Sequence, residues 1–301
     1  MDIFKSVDKL IADFEHVIEN PIIPQNKNKL LVGVDLGTAY IVITVLDEHK
    51  MPIAGAYKFA QVVKDGIVVD YLGALDIVKQ LKREIENKLE CDLVRAAVAI
   101  PPGTTPNDTR FIKNVAQDAG FEVTNVVDEP TAANAVLGVK NGVVVDIGGG
   151  TTGLTIMQDG KIIRVADEPT GGTQCTLVVA GTYKISFEEA EKVKKDPQKQ
   201  KEIANLLKPV AQKIAKIIEK YLPKESVEEI YLVGGTSCIQ GIEKVIEDEL
   251  KVKTVKPKNP IFVTPVGIAM HCIPTGSNDE TDGKPETSQV NRKGVEDSNG
   301  Y

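Results

Sequence analysis

Two short stretches place a carboxylate at the end of an apolar run and follow it at once with glycine: "VGVDLGT", residues 32–38, and "VVVDIGGGTTG", residues 143–153. A glycine-rich turn can wrap an anion, because without Cβ atoms its backbone N–H groups reach the oxygens directly. Asp35 and Asp146 would repel a phosphate held there, unless a cation lay between. Mg2+ removes that conflict, since it takes carboxylates and phosphate oxygens together and usually keeps several waters. One such phrase alone reads as a turn with a satisfied Asp. Two in equivalent places favour a paired clamp, with Asp35 and Asp146 meeting one Mg2+ from opposite sides of a cleft.

Gly148, Gly150 and Gly153 also satisfy GxGxxG. That fingerprint has to open a helix, whereas "TGLTIMQDGKIIRV" alternates as a strand and turns through "QDG" into another. A dinucleotide site is therefore set aside, and no GxxxxGK[ST] stretch supports a P-loop. "IYLVGGTSC" adds a third element, with Gly234 and Gly235 between a strand and a helix. It reads either as close backbone approach to a ligand at a helix N-terminus or as a tight strand-to-helix turn.

The elements that carry these phrases repeat. From Leu30 a strand, turn, strand and third strand precede the helix "YLGALDIVKQLKREIENKL", the strand "LVRAAVAIP", the helix "TPNDTRFIKNVAQDAG", the strand "EVTNVVDEP" and a helix from "TAANAVLGV". From Asn141 the order restarts as three strands, helical segments from about 171 to 221, then the strand, Gly-Gly turn and helix of "VEEIYLVGGTSCIQGIEKVIEDEL". This is an α/β chain with an internal duplication. The expected lobes are 30–140, completed by a terminal helix within 262–272, and 141–261.

Residues 1–20 space Ile3, Phe4, Val7, Leu10, Ile11, Phe14, Val17 and Ile18 as one face of an amphipathic helix, and 21–29 read as a linker. The stretch 274–301 has almost no aliphatic residues and is expected to be disordered, because it cannot bury enough apolar area to offset chain entropy.

A net charge of −7 supplies no basic footprint for nucleic acid. Four scattered cysteines without CxxC suggest neither a disulfide framework nor zinc, and the three histidines are as scattered. No stretch approaches a membrane span and no secretory signal opens the chain, so a cytoplasmic protein without membrane contact is expected.

Asp35 to Thr38, "DEPTAA" from Asp128, "DIGGGTT" from Asp146, "EEAEKVK" from Glu188 and "LVGGTS" from Leu232 stand in the order used by the actin, DnaK chaperone and sugar kinase superfamily. The resemblance covers residues 30–272 and implies a duplicated ribonuclease H-like fold, of the actin/DnaK ATPase type, with two lobes around a nucleotide cleft. Within it, "QVVKDGIVVDYLGALDIVKQ", "IPPGTTPNDTR", "ADEPTGGTQCTLVVAGTYKISFEEAEKVK" and "IFVTPVGIA" most resemble the EutJ family of ethanolamine utilization. That resemblance implies an ATP-binding, chaperone-like protein in or near a bacterial microcompartment, whose client enzyme would be one such as ethanolamine ammonia-lyase. The implied cofactors are ATP and Mg2+.

Carried over by motif, Asp35 and Asp146 would hold Mg2+ through water, and Gly37 and Thr38 would form the first phosphate loop. Gly148, Gly149, Gly150 and Thr151 would form the second, with the Thr151 hydroxyl near the terminal phosphate and Glu129 orienting the attacking water. Glu191 and Lys194 would reach ribose and adenine, with Gly234, Gly235 and Ser237 bordering the adenosine.

Three departures stand out. DnaK relatives carry a further Asp where this chain has Gly153, and an adenine-stacking Arg where it has Cys238. Their catalytic lysine has no assigned counterpart, neither Lys58 nor Lys64 being singled out. Nucleotide binding is thereby better supported than fast turnover. No peptide-binding domain is expected after residue 273, so a client would meet the ATPase-like body or the N-terminal helix.

Two further function classes follow from the same superfamily, an actin-like nucleotide-dependent filament or scaffold and a small-molecule kinase. The kinase fits poorly, for lack of an insertion to hold an acceptor. The N-terminal helix also has two readings, a microcompartment targeting segment docking Phe4, Leu10, Ile11 and Phe14 on a shell protein, or a helix folded back on its own domain.

Overall fold

The computed structural model describes residues 3–223 and 227–275 of the chain. Most of the segment expected to be disordered, 276–301, lies outside them. Helix α1 (Ile3–Glu19) is followed by β1 (Leu31–Leu36), β2 (Tyr40–Leu46), β3 (Pro52–Phe59), the short pair β4 (Val63–Lys64) and β5 (Ile67–Val68), α2 (Tyr71–Leu89), β6 (Arg95–Ile100), α3 (Pro106–Asp118), β7 (Glu122–Asp128) and α4 (Glu129–Leu137). The second half runs β8 (Gly142–Ile147), β9 (Thr152–Gln158), β10 (Lys161–Glu168), α5 (Gly172–Tyr183), α6 (Phe187–Lys195), α7 (Gln200–Tyr221), β11 (Glu229–Val233), α8 (Ile242–Leu250), β12 (Lys253–Val255) and α9 (Val263–Met270).

Two five-stranded sheets share one plan, with orders β3-β2-β1-β6-β7 and β10-β9-β8-β11-β12. In each, three strands run antiparallel and the next two join the first in parallel. This is the duplicated actin/DnaK-type α/β fold.

Strand periodicity decides which way the key residues point. In β1, Val32, Val34 and Leu36 enter the core under α2 and α3, so Leu31, Gly33 and Asp35 face the opposite side, toward α9. In β8, Val143, Val145 and Ile147 pack beneath α7 and α8, which turns Val144 and Asp146 inward. Both strands are buried on both faces and so read as apolar runs broken only by Gly and Asp.

The core between the lobes is built from those inward faces, α4, α9 and α1. Helix α1 lies against its own domain, burying Val7, Ile11, Phe14 and Val17, with Phe4 and Leu10 half-buried on the same cluster. Phe14 meets Phe262 edge-on at 5.3 Å between ring centroids. Asp8 accepts the Lys258 backbone N–H at 2.8 Å, and Glu15 accepts from the Asn259 side chain. Docking of Ile11 and Phe14 on a shell protein would require the helix to leave this core. Phe14→Ala should destabilise the chain by about 3–5 kcal/mol, read as a lower urea midpoint; an unchanged midpoint would mean that α1 is not part of the cooperative fold.

Local boundaries differ from the sequence reading in three places. The strand read through Pro130 stops at Asp128, which accepts the Thr131 N–H at 3.0 Å as an N-cap, with Pro130 suited to the first turn of α4. The helix expected directly behind Gly235 is a single 3-10 turn, Gly235–Cys238, and α8 begins only at Ile242. The β4–β5 hairpin and β12 have strands of two or three residues, too short to show a period.

Candidate functional site

The lobes enclose a cleft of about 660 Å³ into which both glycine phrases project. Its walls include Asp35, Gly37 and Thr38 from the first lobe and Gly148, Gly149, Gly150 and Thr151 from the second. The phrases touch: a Cβ on Gly150 would stand 2.7 Å from Thr38 Oγ1 and 2.9 Å from the backbone N of Asp65 in the β4–β5 turn.

The second phrase is tied down through its carbonyls. Gly148 O accepts from Gly172 N at 3.0 Å and from the Thr236 hydroxyl at 2.7 Å, and Gly149 O accepts from Thr173 N at 2.8 Å. Carbonyls engaged on the protein side are what an anion-binding loop requires. Gly234, at φ 86°, lies so close behind that a Cβ there would stand 2.1 Å from Asp146 Oδ1. A side chain at 234 would displace the carboxylate, so glycine is required by backbone conformation and by space.

Asp146 is 5% exposed, and its Oδ2 accepts a hydrogen bond from the Thr264 hydroxyl in the first turn of α9. Burial pushes its pKa up to about 6, against the lowering effect of that bond. Asp35 is pushed up to about 7, by burial first and then by the charge of Asp146. Glu129, in the first turn of α4, is held well above the carboxylate range by burial and by Asp146, Asp35, Asp167 and Asp128 in turn. Asp128 takes the helix cap, which leaves Glu129 free to line the cleft.

Among the described residues none of Asp35, Glu129 and Asp146 has a Lys or Arg salt-bridge partner. One buried and two half-buried carboxylates without counter-charge are a fitting donor set for a hard divalent cation. Among the same residues, no three His, Cys, Asp or Glu side chains gather closely enough to form a complete protein cage.

A pH dependence follows. The folded-state values of Asp35 and Asp146 lie above the ordinary 3.8, so their stabilising contribution is complete below about pH 4 and is lost as pH rises through about 6 to 7. The metal-free protein should therefore lose a few kcal/mol between pH 5 and 8, with a shallower slope in Asp35→Asn. Thermal melts across that range check this, and a parent slope no steeper than the variant's would contradict it.

At the other end of the cleft Glu191 is buried and accepts from the Thr176 hydroxyl, Lys194 and Lys195. Burial pushes its carboxyl up, but Lys194, Lys195 and Thr176 together hold it below the usual range. Lys194 also donates to Thr176 Oγ1 at 2.7 Å, so Glu191 and Lys194 line the cleft as one unit. Lys195 crosses between the lobes, donating to the Tyr40 hydroxyl at 2.7 Å and lying over the Tyr40 and Phe59 rings.

Every residue nominated from sequence lines this cleft except Ser237. Its hydroxyl is buried and donates to Val233 O at 2.6 Å, because the 3-10 turn directs Thr236 toward the cleft instead. The two lysines left open separate: Lys64 lines the cleft, whereas Lys58 donates to Gln80 Oε1 at 2.8 Å. Thr236, Thr264 and the Lys195–Tyr40 contact were missed. Lys195, beside a nominated lysine, and Thr236, within the "LVGGTS" motif, carried a sequence signal, whereas Thr264 carried none.

Residues 137–261 match the family described as type IV pilus assembly protein PilM, and residues 54–195 that described as MreB/Mbl protein. Ethanolamine utilization protein EutJ of Salmonella typhimurium (strain LT2) is 40% identical over 242 residues, 80% of this chain and 85% of that protein. The crystal structure of EutJ from Carboxydothermus hydrogenoformans superposes with a TM-score of 0.83 at 43% identity, covering 90% of this chain and 99% of the other. MreB5 of Spiroplasma citri bound to ADP shares the fold at 20% identity and a TM-score of 0.63, over 81% of this chain and 96% of its own. Among the described residues no helix is long and apolar enough to cross a membrane.

Proposed function

The chain belongs to the EutJ family of ethanolamine utilization proteins, and from that premise we propose that it is a cytoplasmic, ATP-binding chaperone-like protein that takes Mg-ATP between its lobes. The observation that carries this reading is the convergence of Asp35 and Asp146, from corresponding strands of the duplication, on one cleft whose walls are the two glycine phrases. An MreB5 with the same fold is bound to ADP, which supports a nucleotide as the ligand.

In this reading Asp35 and Asp146 would hold Mg2+ through its waters, and the metal would supply charge neutralisation at the phosphates. Of the residues lining the cleft, Gly37 and Thr38 would meet the phosphates from one lobe, and Gly148, Gly149, Gly150 and Thr151 from the other. Glu129 would orient a water near the terminal phosphate, its contribution being positioning and charge stabilisation. Glu191 and Lys194 would meet the ribose and base, with Gly234 and Gly235 along the adenosine. Ligands that bridge both lobes favour the closed arrangement, so nucleotide state sets which surface a client meets.

The client class is an enzyme of ethanolamine utilization such as ethanolamine ammonia-lyase, in association with a bacterial microcompartment. The test is recovery of heat-inactivated ethanolamine ammonia-lyase with the purified protein, with and without Mg-ATP. Recovery that requires both protein and nucleotide is expected; equal recovery in all mixtures would sink the chaperone role. A nucleotide-dependent rise in light scattering by the protein alone would point to a filament instead.

A further inference from the structure

Strand pairing places a third carboxylate in line with Asp146. Asp146 of β8 is registered opposite Gly153 of β9, and Gly153 opposite Asp167 of β10. Residues opposite one another in adjacent strands project from the same face. The row therefore reads acid, glycine, acid on the face of the sheet from which Asp146 reaches the cleft. Two strand spacings put the outer backbones roughly 10 Å apart, and the centre of the row carries no side chain.

Asp167 leans over that vacancy. A Cβ on Gly153 would stand 3.4 Å from Asp167 Oδ1 and 3.2 Å from Cγ of Pro130, the neighbour of Glu129. Oδ1 of Asp167 is buried without a hydrogen-bond partner, while the Thr151 hydroxyl, of the second glycine phrase, lies near enough to the carboxyl to lower its pKa against the raising effect of burial. A buried carboxylate oxygen left unpaired is costly, so a donor absent from the protein itself is called for. No lysine or arginine is paired with Asp167 among the described residues. Prolines on one side and β10 on the other leave an acid at position 153 little room. The neighbouring strand supplies the acid instead.

We propose that Asp167 is a positioning residue of the metal-nucleotide centre, its Oδ1 accepting a hydrogen bond from water bound to Mg2+. This rests on the reading of the cleft as a Mg-ATP site. It gives the row a function that neither glycine phrase reveals. Through that water, Asp167 would add negative charge near the metal, which would strengthen the preference for Mg-ATP over ATP alone.

The test is calorimetric titration of the full chain with ATP, once with Mg2+ and once with EDTA in its place. The parent is compared with Asp167→Asn, which keeps volume and loses charge, and with Asp167→Glu, which keeps charge; Asp167→Ser replaces the first if melting shows it unfolded. In Asp167→Asn the affinity gained from Mg2+ should shrink about 10-fold, with metal-free ATP bound as in the parent or more tightly. Asp167→Glu should recover part of the gain. A gain equal to the parent's, or equal weakening in both arms, would leave Asp167 a structural brace and overturn the proposal. A parent that binds no ATP in either arm overturns the nucleotide reading as well, so the two failures are distinguishable.

Discussion

Asp146→Asn should lower the affinity for Mg-ATP about 100-fold while raising the melting temperature of the metal-free protein. The two effects have one cause. Asp146 is almost wholly buried, beside Asp35 and Glu129, and burial already holds its pKa near 6. At pH 7.5 the folded state bears an ionised carboxylate that the unfolded chain would solvate, so removing the charge stabilises the fold by roughly 1–3 kcal/mol. Asparagine can still accept from Thr264, which keeps α9 in place. With Mg-ATP present the sign reverses, because the charge repelled in the empty cleft is the charge that holds the cation. Fluorescence anisotropy of a labelled ATP and thermal melts, read on the same preparation, check the pair. Loss of affinity together with loss of stability would mean simple misfolding and would remove Asp146 from the metal site.

The second large effect is structural. Gly267 in α9 crosses α4 so closely that a Cβ would stand 1.9 Å from Ala132 O and 2.5 Å from its carbonyl carbon. No rotamer relieves a clash between Cβ and backbone, so Gly267→Val must push the helices apart. The same two helices carry Glu129 and Thr264 to the cleft, and α9 also lies on β1, where a Cβ on Gly33 would stand 2.5 Å from Ala269 N. A loss of more than about 3 kcal/mol is expected from overpacking against backbone, with weaker Mg-ATP binding in whatever remains folded. Gly181→Ala is the control, since nothing lies within 4 Å of its added Cβ in α5. It should stabilise by about 0.5–1 kcal/mol. Urea denaturation of both variants decides; comparable stability of Gly267→Val and the parent would contradict the crossing.

The meeting of the two glycine phrases on one cleft was legible because each phrase is local. An apolar strand, an Asp and a glycine turn are contiguous in sequence, and finding the phrase twice gave the duplication, the two sheets and the opposed positions of Asp35 and Asp146. Residues whose role arises from tertiary approach were not legible. Thr264 reaches Asp146 across 118 positions, and Lys195 reaches Tyr40 across 155, so that neither partner is marked by the other's segment. Ser237 was misplaced for a smaller reason: a 3-10 turn replaced the expected helix and exchanged the directions of Thr236 and Ser237. Asp167 belongs to the same class as Thr264, because strand register, not sequence spacing, puts it in line with Asp146.

The central claim is that Asp35 and Asp146 make one metal-nucleotide site between the lobes. Calorimetric titration of the parent protein with ATP in excess Mg2+ tests it most directly. Saturable binding of one ATP per chain, weakened when EDTA replaces Mg2+, is the expected result. No heat of binding under either condition would contradict the account and make the cleft part of a nucleotide-free scaffold.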